Sequence, residues 1–189
     1  MSELADSPIR ESRSPLRDNW VAIVFMVALL FVSGVTASVV GYKIKTADRQ
    51  RKADLLGAYT QLGGSFESSL SPGQTALRPS MNEQQKVFVA TYELNERARK
   101  IGLYRVLETT PSENLDIAQE GMMSMDAKEG GLTLKDSLVA FRDMPTNSKS
   151  LNPTAERFAR QYDRYLARDT EAKLYKYLVD NRAAIEKRS

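Results

Sequence analysis

The 189-residue chain contains no cysteine and no histidine. These absences remove every disulfide, the thiolate nucleophile, the commonest proton shuttle near neutral pH and nearly all zinc-site designs. Palmitoylation goes with the thiols, whereas the redox compartment stays open, because a chain without thiols suits either side of a membrane. Phosphate-cradling glycine motifs are missing too. The pairs Gly63-Gly64 and Gly130-Gly131 lack both the GxGxxG spacing and the lysine-serine ending of a P-loop, and read as helix stops. No GxSxG nucleophile elbow occurs, and Asp116, Glu120 and Asp126 do not follow the spacing of an EF-hand loop. The expectation is a non-enzymatic protein with no catalytic residue, no cofactor and no metal ligand; the enzymatic alternative is a chemistry confined to Ser, Lys, Asp and Glu.

Charge is absent from one long stretch. From Val21 to Gly41 the chain reads VAIVFMVALLFVSGVTASVVG, and at about 1.5 Å per helical residue such a run covers the roughly 30 Å hydrocarbon core of a bilayer. Trp20 and Tyr42 bracket it, as amphipathic rings do at membrane interfaces. A transmembrane helix is therefore expected over 20–42, after a polar tail at 1–19. The competing reading is a cleaved signal peptide, since Val35-Thr36-Ala37 precedes Ser38 with acceptable small-residue spacing. Against it, the leading polar segment is long and carries four acids, and the apolar run continues beyond the cut to full spanning length.

Within the span the first half is bulky, while Ser33, Gly34, Ala37, Ser38 and Gly41 line one face of the second half with small side chains. Such faces let helices approach closely in lipid, so they are candidates for packing against other membrane subunits or a second copy. Basic residues set the orientation: Lys43, Lys45, Arg49, Arg51 and Lys52 follow the span, and Arg10, Arg13 and Arg17 precede it. Five against three places the C-terminal part in the cytosol by the positive-inside tendency.

About 147 residues lie beyond the span, enough for one ordinary domain. No proline or strong breaker occurs from 43 to 62, so a helical stalk is expected over 43–64. The glycine-, serine- and proline-rich stretch that follows reads as a hinge over 65–80, and an all-α head of four to five helices as occupying 81–189. Capping signatures mark the helix starts. Ser80-Met81-Asn82-Glu83 opens a helix running to about Glu108, and Thr110-Pro111-Ser112-Glu113 opens one ending near Gly130-Gly131. Thr133-Leu134-Lys135-Asp136 opens a third, stopped by Pro145, and Asn152-Pro153 opens a last one reaching almost to the chain end, with a break expected near Arg168-Asp169-Thr170. No long alternating β-branched run appears after residue 65.

In the last helix Arg157, Arg160, Arg164 and Arg168 recur at three- and four-residue steps among tyrosines, which predicts one basic stripe. Arginine and tyrosine together suit interface anchors. The portion after the span carries a net charge near +4, too mild for a nucleic-acid footprint, so no specific nucleic-acid binding is expected. The leading functional expectation is a membrane-anchored helical adaptor or accessory subunit of a membrane complex, with lipid, other subunits and a protein bound by the head as its partners. The alternative is a membrane-surface regulator that meets anionic lipid through Lys43, Lys45, Arg49, Arg51, Lys52 and the arginine stripe.

Overall fold

The computed structural model describes residues 15–65, 67, 74–143 and 153–187. Among these residues the protein is all-α, with eight α-helices and one π-helical turn: α1 (Pro15–Gln61), α2 (Glu83–Ile101), α3 (Leu103–Thr109), α4 (Ser112–Ser124), α5 (Lys128–Arg142), α6 (Pro153–Gln161), the π turn (Tyr162–Leu166), α7 (Ala167–Asp180) and α8 (Arg182–Ile185). Two compact units divide the chain, 1–49 and 50–189.

In the first unit the backbone is helical from Pro15 onward. Its described apolar side chains, Ile23 to Leu30 and Val32, are exposed, Phe25 by 70% and Leu30 by 69%. Among the described residues no helix is long and apolar enough to cross a membrane. The side chains of 20–22, 31 and 33–41, which include Ser33, Gly34, Ala37, Ser38 and Gly41, lie outside the described residues.

The second unit has one hydrophobic core. Leu55, Ala58 and Tyr59, on the last turns of α1, belong to it together with Phe88, Leu103, Leu115, Met122, Leu134, Tyr162, Leu174 and Ile185. The central helix is α2, packed on α3, α4, α7 and α8. Its carboxylate Glu93 is 3% exposed and accepts hydrogen bonds from the Tyr59 hydroxyl and the Ala76 backbone N–H, both at 2.7 Å. The Arg97 guanidinium, also buried, stands 3.6 Å from the other Glu93 oxygen and donates to the Gln74 carbonyl. A charge removed from water is tolerated only when paired and hydrogen-bonded in this way. The cluster fixes the chain at 74–77 and the end of α1 onto α2. At the other end of α2, Gln85 donates to the carbonyls of Ile185 and Lys187, and Asn82 to that of Ala184, which seats the C-terminal segment.

Several helix boundaries differ from the sequence expectation. The capping box opening α2 is formed by Asn82 and Gln85 rather than by Ser80 and Glu83. That helix does not reach Glu108: it breaks at Gly102, whose φ of +82° belongs to a region that favours glycine. Pro111, not Thr110, occupies the cap position of α4, with no side-chain bond.

Helix α4 ends six residues before Gly130. Its stop is a Schellman motif with Asp126 in the left-handed conformation at φ +63°: Ala127 N–H donates to the Met122 carbonyl, and Asp126 N–H to that of Met123. Asp tolerates this region better than most residues. Gly130 and Gly131 are thus not stops but buried positions inside α5, and Thr133 is helix interior rather than a cap. A Cβ at Gly130 would come within 2.8 Å of Thr170 Oγ1, so the missing side chain allows α5 to lie close to α7. The Gly63 expectation holds: α1 ends in the same Schellman bonding, Gly64 N–H to the Tyr59 carbonyl and Gly63 N–H to that of Thr60. Asn152 and Pro145 lie outside the described residues.

Candidate functional site

The expected break near Arg168-Asp169-Thr170 is instead the π turn at Tyr162–Leu166, and its cause can be read from the burial pattern. Ala155, Ala159, Tyr162, Leu166, Thr170, Leu174 and Leu178 are all buried. Across these 23 steps a straight α-helix, at about 100° per residue, would drift roughly 140° off the core. One π turn takes up an extra residue and cancels about 100° of that drift. The wide turn keeps a single face of the α6–α7 run on the core.

The opposite face is the one singled out by sequence. Arg157, Arg160 and Arg164 line an open groove of about 580 Å³ with Glu156, Gln161 and Tyr165. Tyr165 is 67% exposed, the largest exposure of any large apolar or aromatic side chain described in the second unit. The guanidinium of Arg157 lies 5.0 Å from the centre of the Phe158 ring and that of Arg164 5.9 Å from the Tyr165 ring, distances within cation–π range. Arg160 is ion-paired with Glu156 one turn away. Neither Arg157 nor Arg164 has a carboxylate partner among the described residues. Arg168 is exposed and, one four-residue step beyond Arg164, does not line the groove. Three of the four arginines expected in one stripe are therefore brought together.

Asp163, inside the same wide turn, points away from the groove. Its two carboxylate oxygens accept the Leu103 N–H at 3.0 and 3.1 Å, which caps α3 from sixty residues along the chain. Burial of its carboxyl against α3 pushes its pKa up to about 6, partly offset by that backbone hydrogen bond. Sequence reasoning missed this cap; the signal was Gly102, which interrupts an otherwise regular helical pattern.

The chain matches no protein-family model, no curated protein and no solved structure.

The juxtamembrane candidates fall into both units. Lys43, Lys45 and Arg49 are exposed in the first. In the second, Lys52 is exposed, while Arg51 is half-buried with its guanidinium 5.9 Å from the Tyr175 ring, whose hydroxyl donates to Asp54 at 3.1 Å. Asp116 is engaged by Arg142 at 3.0 Å, and Asp126 by Lys173 at 3.3 Å and Lys128 at 3.5 Å. Among the described residues no group of three or more metal-ligating side chains converges on one point. On and just after α4, Met122 and Met125 are buried and Met123 is 37% exposed.

Proposed function

We propose that the chain is a non-enzymatic, single-pass membrane-anchored accessory subunit or adaptor. Residues 20–42 cross the bilayer, the second unit lies in the cytosol, and its α6–π face binds a protein partner. The observation that carries this reading is the apolar side-chain surface of α1. Ile23, Val24, Phe25, Met26, Val27, Leu29, Leu30 and Val32 are each at least half exposed, in a helix whose sequence has no charge from Val21 to Gly41. An apolar surface of this extent is costly in water and favourable in hydrocarbon. The anchor would act by raising the local concentration of the head beside its target.

Solubilisation of the full chain from membranes in mild detergent tests this reading. Migration in a defined complex is expected, with release of the chain when Gly34→Leu and Gly41→Leu crowd the small-residue face. Recovery of the wild-type chain as a free monomer would count against the adaptor role, and unchanged assembly of the double variant against the packing face. The exposure of Lys43, Lys45 and Arg49 supports a second reading, contact with anionic headgroups, at up to about 1 kcal/mol per basic residue. Its mark would be salt-sensitive binding to phosphatidylserine vesicles, lost on replacing these three residues by glutamine.

A further inference from the structure

We infer that the α6–π groove is a docking site for a short acidic segment of a partner protein, whose carboxylates pair with Arg157 and Arg164. This rests on the adaptor reading and supplies the chemistry of its partner. The groove presents three guanidinium groups against one carboxylate, and that carboxylate, Glu156, is taken by Arg160. Arg157 and Arg164 stand beside rings rather than acids, so their N–H donors face an incoming anion with no carboxylate to displace among the described residues. A guanidinium binds a carboxylate through two parallel N–H donors, and the exposed Tyr165 adds a rigid apolar wall beside them.

The size and limits of the groove point to a peptide rather than an extended polyanion. Its volume of about 580 Å³ accommodates a few side chains. A lipid or nucleic-acid surface would be served by a continuous basic stripe, yet Arg168 does not line the groove and the Glu156 carboxylate does. The wide turn holds Tyr162 and Leu166 in the core, while Arg164 and Tyr165 stay with Arg157 on the outer face.

The test uses the full chain in non-ionic detergent and two fluorescein-labelled decapeptides, one of alternating Glu and Ala and one in which every Glu is Gln. Anisotropy should report binding of the acidic peptide only, weakening as salt rises. The double variant Arg157→Gln/Arg164→Gln should lower the affinity by about tenfold or more, as loss of close charge pairs does at other interfaces. Arg168→Gln, the loss of an exposed charge outside the groove, should leave it unchanged. An unaltered circular-dichroism melt in each variant shows that the fold is retained. The inference is overturned if neither peptide binds, if Arg168→Gln weakens binding as much as the double variant, or if the double variant instead abolishes binding to phosphatidylserine vesicles. Sedimentation of the same chain with membranes is an independent readout, so a failed groove and a failed anchor are distinguishable.

Discussion

Asp163 and Asp126 show what single side chains contribute to this fold. Asp163 has a folded pKa of about 6 against an ordinary value of 3.8. Between these values the folded chain keeps a proton that the unfolded chain has released. The group therefore adds stability below about pH 4, loses it as pH rises towards 6, and contributes no pH dependence above that. The stability difference between the wild type and Asp163→Asn, measured by urea unfolding, should fall between pH 4 and 6.5 and be flat above 7; a constant difference would show that the carboxyl is not held up by burial. Asp126 bears the left-handed backbone that glycine adopts more readily. Asp126→Gly relieves the left-handed backbone cost and loses two exposed, solvent-screened ion pairs, so a rise in thermal midpoint is expected. A fall would mean that Lys128 and Lys173 hold the turn more firmly than exposed pairs normally do. The same pair of motifs explains why one helix end was legible and another was not. Gly63 declares a Schellman stop by its identity, whereas Asp126 performs the identical role with a residue that signals a cap or a surface just as well.

At the scale of elements, the α6–π–α7 run carries the most information. The buried positions Tyr162, Leu166, Thr170, Leu174 and Leu178 repeat every four residues, a period that no straight α-helix maintains on one face. That period was present in the sequence, but it reads as ordinary amphipathicity until burial shows that all five positions face inward. Deleting Arg164 should convert the wide turn to regular α-helix while keeping Leu166 to Leu178 on the core, and preserve a cooperative thermal transition. Inserting one alanine after Ala172 should turn Leu174 and Leu178 off the core by about 100° and abolish that transition. Equal outcomes for the two variants would refute the register argument. The arginine stripe was legible in the same partial way. Helical spacing brings Arg157, Arg160 and Arg164 together, whereas the extent of the groove, which ends before Arg168, depends on side-chain placement that spacing alone does not give.

Across the whole molecule, the all-α class followed from helical periodicity and from the lack of alternating runs. The number of helices did not, because Gly102 breaks one expected helix, and because glycines at 130 and 131 allow close packing where they were expected to end a helix. The end of α1 shows the same difficulty at larger scale. Leu55 and Tyr59 lie where a stalk was expected, yet they are buried in the core of the second unit, since the acceptor that fixes Tyr59 is Glu93, thirty-four residues away. Long-range partners of this kind leave no local trace in a sequence. Membrane anchoring rests on the uncharged segment of α1. The most direct measurement is alkaline carbonate extraction of membranes from cells making the full chain, beside a variant carrying Val27→Arg and Leu30→Arg. The wild-type chain should stay in the membrane pellet and the variant should be released; a wild-type chain recovered in the supernatant would rule out a spanning segment.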